Sequence, residues 1–120
     1  MATALIVDRE SDTRQLLRRI LRGHGHQVFA FANQQDALAW ANSHRVDLAI
    51  VELEPEVGLD YRAWLTLKQS KGEPKVLTLS RYFSKHLALE ALAAGTEGYF
   101  LKPVDIEELE FKVNTLAMDL

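Results

Sequence analysis

Short apolar runs and longer amphipathic stretches alternate along the whole chain. Five runs read as strands: Ala4–Val7, Gln27–Phe31, Val46–Val51, Lys75–Leu79 and Gly98–Leu101. The first, third and fourth show little polar alternation, as expected of strands covered on both faces. Between the runs the apolar spacing becomes that of helices. Ser11 or Asp12 is placed to cap a first helix whose Leu16, Leu17, Ile20 and Leu21 share a face, and which ends near Gly23 and Gly25. Asn33 is placed to cap a second, carrying Ala37, Leu38 and Ala41. A third is expected from about Asp60 to Gln69 with Trp64 and Leu65 inward, and a fourth from about Ser84 to Ala94. The fifth opens on Asp105-Ile106-Glu107-Glu108, a capping-box spacing, and is expected to bury Ile106, Leu109, Val113 and Leu116.

Strands alternating with helices predict the α/β class: a (βα)5 doubly wound, five-stranded parallel sheet with right-handed crossovers. No low-complexity linker or repeat interrupts the pattern, and 120 residues suit one hydrophobic core, so residues 1–120 read as a single domain. In such a sheet functional groups collect at the carboxyl ends of the strands. Those ends supply Asp8, Arg9 and Glu10, then Glu52 and Glu54, then Ser80 and Arg81, and finally Lys102 with Pro103.

Composition narrows the function. With 14 basic and 17 acidic residues and a formal charge of -3, capture of nucleic acid is not expected. Absence of cysteine excludes disulfides, thiolate metal sites and thiol nucleophiles. No apolar run approaches the ~18 residues of a membrane span, so a soluble cytoplasmic chain without a membrane partner is expected. No strand leads into a Gly-rich phosphate loop, which makes a flavin- or nucleotide-binding protein the weaker alternative. His24, His26, His44 and His86 share no metal-ligand spacing and read as surface residues, while Trp40 and Trp64 read as packing residues.

The strand ends resemble, in order, those of the receiver domains of bacterial two-component response regulators. Ile6-Val7-Asp8 is similar to that family's acidic first-strand end, and Val46–Glu52 to the strand ending in its phosphoacceptor aspartate. Lys75–Ser80 resembles the strand ending in a phosphate-sensing hydroxyl, and Ala91–Pro103 the stretch with a switch aromatic, here Tyr99, and the lysine-proline pair. The resemblance implies a flavodoxin-like receiver fold with strand order 2-1-3-4-5. It also implies a histidine kinase as phosphodonor, Mg²⁺ in the acidic cluster and a downstream effector as partner. A further implication is weak homodimerisation through the fourth helix, fifth strand and fifth helix, where Lys85, Glu97, Glu107, Glu110 and Lys112 are expected to lie exposed.

Several residues depart from that pattern. Glu52 stands in the acceptor position, one methylene longer than an aspartate, and a shift of ~1 Å costs on the order of 10²-fold in rate. Arg9 replaces a metal-binding acid and repels Mg²⁺. The loop Glu52–Gly58 looks one residue short, and Arg81 narrows the pocket entrance beside Glu54. Asp8 and Glu52 then face Arg9 and Lys102, with Glu10 and Arg81 extending the charge balance outward. The expectation is a pseudo-receiver without a metal cofactor, acting as an interaction module rather than an enzyme. Asp8 and Glu52 are the residual metal candidates. The alternative is a receiver that still takes phosphate with Mg²⁺ at another carboxylate, Glu54 or Asp8.

Overall fold

A computed structural model describes residues 2–53, 73–81 and 85–118. Five strands, β1 (Thr3–Val7), β2 (Gln27–Phe31), β3 (Leu48–Glu52), β4 (Lys75–Ser80) and β5 (Gly98–Leu101), form one parallel sheet in the order β2-β1-β3-β4-β5. Four helices are described: α1 (Ser11–Gly23), α2 (Gln34–Ala41), α3 (Lys85–Ala93) and α4 (Ile106–Ala117). The last two are the fourth and fifth helices of the sequence reading. The expected third, with Trp64 and Leu65, lies outside the described residues. Among those described, no helix is long and apolar enough to cross a membrane.

Successive strand residues point to opposite faces, so continuous apolar runs feed two cores. On one face Ala4, Ile6, Leu48, Ile50, Leu77 and Leu79 pack with Leu17 and Leu21 of α1 and with Leu109, Val113 and Leu116 of α4. On the other, Leu5, Val7, Ala49, Val51 and Val76 pack with Ala37 and Ala41 of α2 and Ala91 of α3. The helices therefore cover both faces, and the strand ends stay clear of them.

Local chemistry explains most boundaries. Asn33 Oδ1 accepts the Asp36 backbone N–H at 2.8 Å, and the Asp105 carboxylate accepts that of Glu108 at 3.1 Å, so both helices start where a side chain satisfies a free donor. At α1 the expectation of a Ser11 or Asp12 cap is corrected. The N-cap is Glu10, and it makes no side-chain capping bond because its carboxylate is drawn to Lys102 instead. Ile106 is also corrected: it is 42% exposed, because it is the first residue of α4, ahead of the turns whose Leu109, Val113 and Leu116 carry the buried face. β3 begins at Leu48 rather than Val46, and just before it the Asp47 side chain accepts from the Thr3 N–H (2.9 Å) and pairs with Arg45 (3.2 Å).

The start of β5 is pinned by a buried hydroxyl pair. Thr78 Oγ1 and Thr96 Oγ1 are 2.8 Å apart, and Thr96 Oγ1 lies 3.0 Å from the Val76 carbonyl and 2.8 Å from that of Gly98. Buried hydroxyls need such partners, and here they set the register that delivers Lys102 to the end of the sheet.

The caps give a direct comparison. Asn33→Ala should lower stability by about 1 kcal/mol in urea denaturation, whereas Ser11→Ala, which removes no capping bond, should cost less than about 0.5 kcal/mol. Equal losses would show that α1 is capped by Ser11 after all.

Candidate functional site

The parallel register brings the carboxyl ends of β1, β3, β4 and β5 together: Val7 pairs with Val51, Glu52 with Leu79 and Ser80 with Leu101. Asp8 follows β1, Glu10 caps α1, Glu52 closes β3 and Lys102 follows β5. The Lys102 backbone N–H donates to the Ser80 carbonyl at 2.8 Å, which aims the lysine side chain back over the sheet.

Its ammonium meets three carboxylates. Lys102 Nζ lies 2.6 Å from Glu52 Oε2, 2.7 Å from Glu10 Oε1 and 2.8 Å from Asp8 Oδ2, with only 8% of the lysine side chain exposed. The first two contacts are hydrogen bonds. The third is an ion pair without hydrogen-bond alignment, and Asp8 Oδ2 is buried with no aligned donor among the described residues. Asp8 Oδ1, by contrast, accepts the Glu10 N–H at 2.8 Å.

Arginines surround this centre. The Arg9 N–H donates to Glu52 Oε1 at 3.2 Å and its Nε stands 3.8 Å from the same oxygen. Arg81 Nε is 3.7 Å from Glu10 Oε1, and Arg14 Nη1 donates to the Asp8 carbonyl at 2.7 Å. Three acids thus face one lysine and two arginines.

The environment shifts two groups. Burial alone disfavours the Lys102 ammonium, but the bonds to Asp8, Glu10 and Glu52 outweigh it and push its pKa up to about 12. Burial raises the Asp8 carboxyl above the usual carboxylate value; Lys102 and the Glu10 N–H pull the other way, and the charge of Glu52 adds to the rise.

Three acids would suit a hard cation in kind: Asp8, Glu10 and Glu52 each offer an oxygen within 4.8 Å of the others. The position where those oxygens converge is held by the Lys102 ammonium. Mg²⁺ requires several oxygens at about 2.0–2.1 Å in octahedral array. Here Lys102 Nζ takes one oxygen of each acid, and Arg9 Nε stands 3.8 Å from Glu52 Oε1. With Lys102 in place the residues do not fit Mg²⁺.

The other strand-end candidates are spread around this cluster. Ser80 is fully buried at the end of β4. Tyr99 is half-buried, lies opposite Thr78 in the ladder and packs against the core on the α2 and α3 side. Pro103 is exposed and joined to Lys102 by a cis peptide. Glu54 and the loop 54–58 lie outside the described residues. Sequence reasoning put Glu10 in the outer part of the charge balance, whereas its carboxylate binds Lys102 directly. Arg14 was missed, although its position four residues after the α1 N-cap was a signal that it points back toward Asp8.

Comparison with known proteins supplies a family. The family model described as response regulator receiver domain matches residues 4–114. The chain is 30% identical over 116 residues to the transcriptional regulatory protein PcoR of Escherichia coli, covering 97% of this chain and 51% of PcoR. It is 33% identical over 117 residues to the two-component response regulator PhoP of Pseudomonas aeruginosa, covering 93% of this chain and 50% of PhoP. It therefore spans about half the length of these curated relatives. A response regulator from Thermotoga maritima superposes with a TM-score of 0.85 at 26% identity, over 97% of each chain.

Removing the central cation should expose the cost of the acids. Lys102→Met is expected to destabilise the fold by about 3–5 kcal/mol at neutral pH, because it leaves buried carboxylates uncompensated. The loss should shrink at acid pH, because burial raises the Asp8 carboxyl above its ordinary value and its protonated form no longer needs the lysine. Denaturation at neutral and at acid pH checks it; an equal loss at each would mean that Lys102 acts by packing rather than by charge.

Proposed function

The chain belongs to the response regulator receiver domain family of two-component signalling, and we propose that it acts there as a pseudo-receiver, an interaction module that works without a metal-dependent aspartyl phosphorylation cycle. The observation that carries this reading is the seat of Lys102 Nζ at 2.6–2.8 Å from Asp8, Glu10 and Glu52. A phosphoryl group arriving at Glu52 would need cations to neutralise the charge developing on its oxygens. Lys102 is already shared among three acids, and Arg9 is committed to Glu52. Glu52 itself supplies a carboxylate where an aspartate would be shorter, and a carboxylate carries less charge and fewer oxygens than a phosphate.

A histidine kinase and a downstream effector are the partners we assign, met by a cytoplasmic protein on the face of α3, β5 and α4. That face presents Leu89 at 56% and Leu92 at 49% exposure, apolar area suited to a protein contact. The second reading, a receiver phosphorylated with Mg²⁺ at another carboxylate, draws support from the clustering of Asp8, Glu10 and Glu52 oxygens. Against it, Lys102 Nζ at 2.8 Å already offsets the charge of Asp8.

Calorimetric titration with millimolar Mg²⁺ should detect no saturable site, and acetyl phosphate should not label the unmodified chain. Arg9→Asp removes the repelling cation and Glu52→Asp draws the carboxylate away from Lys102. Neither change alone should restore Mg²⁺-dependent labelling, and together they should, non-additively. Efficient labelling of Glu52 in the unmodified chain would overturn the reading.

A further inference from the structure

The charge of this chain, mild as a whole, is sorted between two neighbouring helices. α1 carries Arg14, Arg18, Arg19 and Arg22 against Asp12 alone. α4 with its cap carries Asp105, Glu107, Glu108 and Glu110 against Lys112 alone. Both helices lie on the same side of the sheet, because Leu17 and Leu21 of one share a core with Leu109, Val113 and Leu116 of the other. Beside that shared core, His24 Nε2 lies 3.4 Å from Glu110 Oε2.

The remaining charges have no such use. Among the described residues none of Arg19, Arg22, Glu107 and Glu108 has an ion-pair partner, and all four are exposed. Helical spacing puts Arg19 and Arg22 on one ridge of α1, one turn apart. On α4 it puts Phe111, 73% exposed, one turn beyond Glu107.

We infer that this α1/α4 face is a contact between two copies of this chain. A two-fold contact needs one patch that complements itself, so that residue i meets j while j meets i. A basic ridge beside an acidic ridge meets that requirement. Rotation about an axis perpendicular to the helices sets α1 of each copy against α4 of the other, with Arg19 and Arg22 opposite Glu107 and Glu108. Phe111 then lies near the centre, where an arginine can cover its ring. An acidic protein or a polyanion would satisfy only α1; a second copy satisfies both helices. This assignment does not depend on whether the Lys102 site accepts phosphate.

Sedimentation velocity over a concentration series tests it, on the unmodified chain, on Arg19→Glu/Arg22→Glu and on Glu107→Lys/Glu108→Lys. The unmodified chain should dimerise in low salt, and its association should weaken at least about tenfold in high salt, as expected for exposed charge pairs. Each variant alone should dimerise at least about tenfold more weakly than the unmodified chain. An equimolar mixture of the two should form a heterodimer, because each reversed ridge then meets its complement. The four-fold variant carrying both reversals should dimerise again, which separates lost complementarity from misfolding. A monomeric unmodified chain in low salt, variants that dimerise as it does, or folded variants that fail to pair when mixed would each overturn the inference.

Discussion

The ammonium of Lys102 is the cation around which the strand ends are arranged. Burying an ion costs several kcal/mol, and the cost is offset only where opposite charge and hydrogen bonds surround it. Three carboxylates at 2.6–2.8 Å do this, and the pKa raised to about 12 is its signature. A folded pKa above the unfolded one means stability that is fully present below the ordinary lysine value of 10.5 and lost only as the pH rises through about 12. Near neutrality the contribution is complete. Asp8 carries the opposite cost: burial raises its pKa, so folding disfavours its ionised form relative to the unfolded chain.

Much of the local geometry follows from that centre. Glu10 cannot cap α1 with its side chain because Lys102 holds its carboxylate, so α1 starts without a side-chain cap. The loop after β5 is tied to β1 through Asp8, to β3 through Glu52 and to β4 through the Ser80 carbonyl. The Thr78–Thr96 pair fixes the start of β5 four to six residues before the lysine, which lets so short an edge strand deliver it accurately. A metal ion would be exchangeable; a lysine is covalently part of the chain. A pocket balanced by Lys102 carries its central cation as part of the chain.

Electrostatics acts on two scales in this molecule. Inside, opposite charges are brought into contact where water is scarce and each ångström matters. Outside, arginines and glutamates are parted onto α1 and α4, where water screens them and their effect depends on salt. The net charge of -3 conceals both arrangements, since it counts charges without regard to position.

Periodicity alone determined the class of fold, because strands covered on both faces must be apolar at nearly every position and amphipathic helices must repeat at 3.6 residues. β2 and β5 begin and end where the apolar runs do, and Asn33 and Asp105 cap the helices that their spacing marks. Sequence order also placed Asp8, Arg9, Glu10, Glu52, Ser80, Arg81 and Lys102 at strand ends, hence near one another. What only the tertiary structure decided is which atoms meet. The length of a side chain and the register of neighbouring strands determine whether Glu10 reaches a helix donor or a lysine 92 residues away, and neither is visible along the chain. The same limit explains Ile106: its helical spacing is right for burial, but it opens α4 and is 42% exposed, while Leu109, Val113 and Leu116 carry the buried face. Local rules are written in neighbouring residues, whereas contacts between distant strand ends arise only when folding superimposes them.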